Sequence, residues 1–294
     1  MTSHLPLCSP ITTLACPIDG APLVVAAGAV LRCAQGHSFD RAREGYTNLL
    51  VVQHKASADP GDSRGMVAAR RRILDAGHFA PIAARAAEIV LDLLGGDRSE
   101  QPFRVVDAGC GEGTYLAAIA TAANARAARP IQVAGVDISK WAVQAAAKRH
   151  KDCFWAVASN RRLPFAPGSV DLILSMFGFP LWDAFAAVQP AGARVLLVDP
   201  GPAHLIELRS VIYPEVKPSE PPVLNIAEAA GYQLEREQRL QFRFGLVGAT
   251  PIADLLAMTP HDHRAPLAGR QALAQLARLD LTGDVVFRTL RRSA

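Results

Sequence analysis

A chain of 294 residues, half of them apolar, can build one α/β domain of ordinary size plus an appendage, which excludes a chain disordered throughout. Its net charge of +4 at pH 7 admits a nucleic-acid partner without demanding one. No apolar run approaches the roughly 20 residues that span a bilayer, and no basic segment followed by an apolar core opens the chain, so no membrane association and a cytoplasmic location are expected.

Residues 1–48 stand apart. They are rich in Pro and Gly and carry Cys8, Cys16 and Cys33, while Cys110 and Cys153 lie in other settings. Five cysteines so placed do not read as a disulfide framework and point to a reducing compartment. The pairs Cys16-Pro-Ile-Asp19 and Cys33-Ala-Gln-Gly-His37, separated by a hairpin-sized stretch, have the spacing of a zinc ribbon. A carboxylate can ligate zinc, so Cys16, Asp19, Cys33 and His37 form one chemically sound set. Cys8 in place of Asp19, and a ribbon that has lost its metal and survives by packing, are the alternatives.

Residues 49–102 read as a linker and helical segment. Leu49–Gly65 is polar and turn-prone around Asp59-Pro-Gly-Asp62. Met66–Leu94 reads as helices broken near Gly77, the first carrying Arg70, Arg71 and Arg72. From residue 103 to 294 strand and helix patterns alternate. Strands are expected at Arg104–Ala108, Val133–Asp137, Phe154–Ala158, Val170–Met176 and Ala193–Asp199. Helices are expected at Thr114–Ala123, Ser139–His150 (with Ser139 as N-cap) and Trp182–Val188. This alternation predicts a doubly wound, mostly parallel sheet. Tyr232–Phe244 and Val285–Leu290 read as antiparallel edge strands.

The first strand of this domain runs from Asp107 into a turn with Gly109, Gly111 and Gly113, and the next strand ends in Asp137, 24 residues past Gly113. The spacing is G-x-G-x-G and not the G-x-G-x-x-G of a dinucleotide pyrophosphate site. Bare main chain at one strand tip and a carboxylate for ribose hydroxyls at the next describe a nucleoside held without a phosphate. S-Adenosylmethionine is the common ligand of that description. Asp107 would orient the turn or a water in it. Ser159 or Asn160, after the third strand, would meet the adenine amino group, or else form a plain polar loop. His204, past the fifth strand, lies where strand ends line a site, although a lone histidine is commonly surface or core. Arg161 and Arg162, Arg239 and Arg243, Arg291 and Arg292, and Arg70–Arg72 are basic runs of the kind that usually form solvated surface.

Taken together the motifs resemble the bacterial guanine-N1 methyltransferases of 23S ribosomal RNA, the RlmA type. The resemblance spans nearly the whole chain. It is carried by Phe39-Asp-Arg-Ala-Arg-Glu-Gly-Tyr-Thr-Asn-Leu-Leu50, Gln53-His-Lys55, Asp59-Pro-Gly-Asp-Ser63, Ala69-Arg-Arg71 and Leu74-Asp-Ala-Gly-His78. Further along come Asp107-Ala-Gly-Cys-Gly-Glu-Gly113, Gly135-Val-Asp-Ile-Ser-Lys140, Leu163-Pro-Phe165, Pro200-Gly-Pro202 with His204, and Met258-Thr-Pro260. The resemblance implies a class I methyltransferase domain, an N-terminal zinc ribbon, S-adenosylmethionine as donor, a 23S rRNA hairpin as substrate and a homodimer. It places Cys16, Asp19, Cys33 and His37 on zinc, and Phe79, Gly111, Glu112 and His204 on the donor. The chain departs from the family pattern at Asp19, where a cysteine is usual, and at Phe79, where Tyr is frequent. It departs again at Ser175-Met-Phe-Gly-Phe-Pro180, where a segment of the Ile-Tyr-Ala-Pro kind would face the target base. Phe177 and Phe179 could stack on a flipped guanine or pack in the core. The competing functions are a small-molecule methyltransferase and a non-catalytic RNA-binding protein with a vestigial pocket.

Overall fold

The computed structural model describes residues 8–26, 29–51, 60–95, 101–127, 129–216 and 224–293. The motif Gln53-His-Lys55, Asp59 and the side chain of Cys8 lie outside them.

The N-terminal unit runs through β1 (Cys8–Pro10), β2 (Val24–Val25), β3 (Leu31–Arg32), β4 (Ser38–Phe39) and β5 (Thr47–Asn48). Strands β2, β3 and β4 form a small antiparallel sheet. Two helices follow, α1 (Arg64–Asp75) and α2 (Ala80–Gly95), parted at the turn containing Gly77 as the sequence indicates. Ser63 caps α1, its hydroxyl accepting from the Met66 N–H at 3.3 Å.

The large domain continues with β6 (Phe103–Ala108), α3 (Thr114–Arg126), β7 (Ile131–Asp137), α4 (Lys140–Arg149), β8 (Phe154–Val157) and β9 (Leu172–Met176). After these come α5 (Trp182–Val188), β10 (Arg194–Pro200), α6 (Ile206–Ile212), α7 (Asn225–Ala229), β11 (Tyr232–Val247), α8 (Ala249–Ala257), α9 (Leu267–Ala274) and β12 (Arg278–Arg292). The expected strands and helices from 104 to 199 are present within a few residues of their predicted ends, and Ser139 caps α4.

Strand order in the main sheet is β11-β12-β10-β9-β6-β7-β8-β5, with β1 beside the first half of β7. Neighbours from β10 to β5 are parallel, and β12 runs antiparallel to both β10 and β11. Chain order reverses between β6 and β9, so their carboxyl ends flank the crevice where doubly wound sheets take ligands. Of the two segments expected at an edge, only β11 is an edge strand, with one face exposed along most of its length. Val285–Leu290 is instead interior, because those six residues are buried on both faces between β10 and β11.

The sheet has two cores. On one face Val105, Val133, Leu174 and Val198 pack with Ile82, Val90 and Leu116 of α2 and α3. On the other, Val106, Ala134, Ile173 and Val195 pack with Phe185 of α5 and with Leu14, Leu23 and Leu31 of the ribbon. The N-terminal unit is thus a covering layer of the main sheet. Its last strand, β5, pairs with β8, so the expected boundary after residue 48 falls within the sheet.

Candidate functional site

The ribbon site is built from two tight turns. In one, the Gly20 N–H donates to Cys16 O at 2.8 Å and the Cys16 N–H donates to Ala21 O at 2.8 Å. In the other, Gly36 N–H donates to Cys33 O at 3.1 Å and Cys33 N–H to His37 O at 3.0 Å. The turns bring Cys16 Sγ, an Asp19 oxygen, Cys33 Sγ and a His37 ring nitrogen all within 4.8 Å of one another. Cys16 Sγ is 3.6 Å and Cys33 Sγ 3.4 Å from His37 Nδ1, and Cys33 Sγ is 3.3 Å from Asp19 Oδ2. Zinc–ligand bonds of roughly 2.0–2.3 Å set tetrahedral edges of about 3.3–3.8 Å, so these three spacings fit such a site. The His37 Nδ1–Asp19 Oδ2 edge, at 2.8 Å, needs to open slightly. The Asp19 carboxylate is held ionised and correctly turned. The Ala21 N–H bonds its Oδ1 at 2.8 Å and, as the main cause, brings the carboxyl to about 2, while Oδ2 faces the other ligands. Burial raises the Cys16 thiol, a cost that a bound cation removes. The four residues therefore fit a metal ion, with the acidic fourth ligand adding charge that a thiolate would also supply.

The second site lies at the carboxyl ends of β6 and β7. Asp137 is clamped by main chain: its Oδ2 accepts from the Gly111 N–H at 2.9 Å and its Oδ1 from the Ser139 N–H at 2.8 Å. One lone pair on each oxygen remains for a ligand. Gly109 and Cys110 both donate to Val136 O, at 2.8 and 3.0 Å, which folds the turn back onto β7. The glycines divide into two pairs. A methyl on Gly113 would lie 2.4 Å from Trp155 Cη2, and one on Gly135 2.2 Å from Trp155 Cζ3, so these two make room for a buried indole. Gly109 and Gly111 leave bare main chain beneath Asn160 Nδ2 and Arg70 Nη1, 3.6 and 3.2 Å from where their Cβ atoms would be. Gly111 has φ +55°, a left-handed conformation.

Unmet polar atoms mark this crevice. Both oxygens of Asp107, Oε1 of Glu112, Oγ1 of Thr114, Oδ1 of Asn160 and Oγ of Ser175 are buried with no partner among the described residues. Buried polar groups are ordinarily hydrogen-bonded, so a concentration of exceptions in one crevice marks it as a place suited to a polar ligand. Burial, then the charge of Asp137, raises Asp107 to about 8. Burial also raises Glu112 and Asp137. The Ser159 hydroxyl accepts from the Arg161 N–H at 3.3 Å and keeps its own O–H for another partner, while Asn160 is the side chain over Gly109.

A ring of aromatics closes the far side. His204 stacks on Phe177 at 6.0 Å and lies 6.2 Å from Phe79, while Tyr115 is 6.1 Å from Phe177. Phe79 is buried and also contacts Phe242 and Phe244. Burial brings His204 down to about 4, so the ring is neutral at pH 7. Its Nδ1 accepts from the Asp284 N–H at 3.2 Å, which assigns the proton to Nε2. Asp284 secures the whole loop: its carboxylate accepts from Ala203 N–H at 2.8 Å and from Arg239 at 2.7 and 2.8 Å. Phe177 takes φ +58° at the tip of β9, and Phe179 is 90% exposed, which rules out core packing for Phe179.

The basic runs do not merge into one free surface. Arg72 forms a two-pronged bond with Asp254 at 2.6 Å, Arg71 pairs with Asp75 in the same helix, and Arg70 bonds Asp62 beside the crevice. Arg239 serves Asp284, and Arg243 bonds Glu207 at 2.8 Å. Arg161 and Arg162 are exposed beside Asn160.

Several site residues escape a reading of spacing alone. Arg70 was hidden in an arginine run, and Ser175 in an apolar strand. Gly61 and Asp62, which lie on the tip of β7, come from a segment that reads as a linker. A methyl on Gly61 (φ +83°) would be 2.9 Å from Ile138 Cγ2, and Ser139 Oγ donates to Asp62 O at 2.7 Å.

Comparison with known proteins matches both parts of the chain. Residues 14–58 match the family described as "RlmA, N-terminal", a zinc ribbon, and residues 105–197 match a methyltransferase domain family. The fold is therefore that of a class I methyltransferase with an N-terminal zinc ribbon. A protein of Micromonospora griseorubida, provisionally named a 23S rRNA (guanine-N(1)-)-methyltransferase, is 36% identical over 209 residues, 66% of this chain and 68% of its own. The similarly named YxjB of Bacillus subtilis is 29% identical over 279 residues, 92% of this chain and 94% of its own. The 23S rRNA (guanine(748)-N(1))-methyltransferase of Streptomyces fradiae is 36% identical over 196 residues, 66% of each chain.

Proposed function

This chain belongs to the family of 23S rRNA (guanine-N1)-methyltransferases, and from that membership we propose that it transfers a methyl group from S-adenosylmethionine to N1 of a guanine in a hairpin loop of 23S rRNA. At the level of residues, the observation that carries the reading is the buried, unpartnered Asp107 beside the bare turn at Gly109 and Gly111, with Asp137 clamped opposite.

Asp137 holds the ribose with the lone pairs its two main-chain bonds leave over. Asn160 and the polar Ser159 turn meet the adenine edge. Main chain at Gly109, Gly111, Glu112 and Gly113 runs along the amino-acid part, and Asp107 and Glu112 face its cationic groups. The bound donor supplies an activated methyl on a sulfonium. The protein's contribution is then placement and the exclusion of water, and orientation of two reactants is worth several kcal/mol of barrier. His204 is a hydrogen-bond donor through Nε2 and not a base, because it is neutral and its Nδ1 is occupied by Asp284. Phe177 and the exposed Phe179 offer faces for an unstacked base, and a loop guanine is easier to extrude than a paired one.

Zinc at Cys16, Asp19, Cys33 and His37 fixes the ribbon, whose apolar side chains complete the second core of the sheet. A homodimer, with the RNA held in the cleft between subunits, and a cytoplasmic location complete the proposal. Both are supported by the family and its ribosomal substrate. Among the described residues, no helix is long and apolar enough to cross a membrane.

The test is methyl transfer to unmodified 23S rRNA, with the modified position mapped. Methylation at guanine N1, and RNA binding that weakens steeply with salt, are expected. Transfer to a small metabolite with none to any rRNA fragment would overturn the RNA substrate. Light scattering at working concentration tests the dimer.

A further inference from the structure

We propose that Arg70 of α1 receives the carboxylate at the amino-acid end of the donor. The inference rests on the crevice being the donor site. The ligand carries one anionic group beside its cationic sulfonium and ammonium, and that group needs a cationic partner among mainly acidic neighbours; the other arginine acting on Glu112, Arg149, bonds Asp75 at 2.6 Å. Asp62, Asp107, Glu112 and Asp137 gather around the glycine turn, and Arg70 interacts electrostatically with Asp62, Glu112 and Asp137.

The guanidinium is half committed. Its Nη2 bonds Asp62 Oδ2, while Nη1 stands 3.6 Å from Glu112 Oε2, longer than a hydrogen bond. The same Nη1 lies 3.2 Å from where a Cβ of Gly111 would sit, so it overhangs the bare main chain of the turn. Glu112 is 1% exposed and its Oε1 has no partner among the described residues, so its ion pair with Arg70 through Oε2 leaves one oxygen unmet. A ligand carboxylate reaching Nη1 would replace a long contact with a charge-assisted bond, and would free Glu112 to face the ammonium. The arm is also preorganised. Ser63 caps α1 at its start, and Ser139 Oγ ties Asp62 O to the tip of β7. Little ordering is left to be done on binding.

The experiment compares two probes on the full chain by calorimetry: S-adenosylhomocysteine, which has the amino-acid end, and 5′-methylthioadenosine, which lacks it. The proteins are the wild type, Arg70→Gln and Arg70→Lys, each checked by thermal melting. Arg70→Gln is expected to bind S-adenosylhomocysteine about tenfold or more weakly while holding 5′-methylthioadenosine within about twofold, and Arg70→Lys to fall between. Parallel losses for both probes would make Arg70 a mere shaper of the crevice and overturn the proposal. Unchanged binding of both would overturn it as well. A wild type that binds neither probe would refute the donor site itself.

Discussion

Replacing Asp107 with Asn tests the physical basis of the crevice. Asp107 is fully buried, neither oxygen has a partner among the described residues, and burial followed by the charge of Asp137 raises it to about 8. In an unfolded chain an aspartate titrates near ~3.9. Between those values the folded protein holds a proton that the unfolded chain has released, so the associated stability is complete below about pH 4 and is lost as pH climbs through 8. At pH 7 the chain sits about three pH units above the unfolded value. At ~1.36 kcal/mol per unit, that is a penalty of about 4 kcal/mol. Asp107→Asn keeps the shape and removes the titration. It is expected to match the wild type near pH 4 and to exceed it by up to about 4 kcal/mol at pH 7, or roughly 8 °C or more in melting temperature. Urea unfolding at pH 4, 5.5, 7 and 8, without donor, measures the gap. The same variant should lose more affinity for the sulfonium donor than for its neutral demethylated product. Parallel pH profiles for the two proteins would refute the reasoning, because they would mean that Asp107 carries no burial cost.

The zinc site gives a second expectation. Asp19→Cys should retain the metal about tenfold more strongly against a chelator, since thiolate suits zinc better than carboxylate, with zinc per chain measured by elemental analysis. No zinc in either protein after expression with the metal supplied would reject the site. A third concerns Gly61, where φ is +83° and a methyl would meet Ile138 and Ser139 at 2.9–3.0 Å. Gly61→Ala should cost about 1–3 kcal/mol in thermal or urea unfolding, and the loss should persist in saturating donor. An unchanged melting temperature would mean that the loop does not rest on β7.

Much of the donor site is local in sequence, and so it was legible. Asp107, the three glycines and Asp137 sit at the ends of two adjacent parallel strands, and a βαβ unit fixes where such ends go. The ribbon was legible for the same reason, since each tight turn supplies two ligands only a few residues apart. Residues that act across the fold were not. Arg70, Arg71 and Arg72 are alike in a row, yet one overhangs the crevice, one pairs along its helix and one reaches Asp254 on α8. Asp284 lies in a strand whose alternation suggested an edge, and its carboxylate turns out to hold the loop that carries His204.

Order along the chain, then, settled the class of fold and marked two candidate sites with the kind of ligand expected at each, because backbone periodicity and short-range ligand spacing are written in consecutive residues. Packing alone decided that the ribbon is a layer of the main sheet, that Gly113 makes room for Trp155, that the His204 proton lies on Nε2, and which arginine overhangs the glycine turn. Those outcomes depend on distances between residues tens to hundreds of positions apart and on how much water burial removes, and neither quantity exists until the chain has closed on itself.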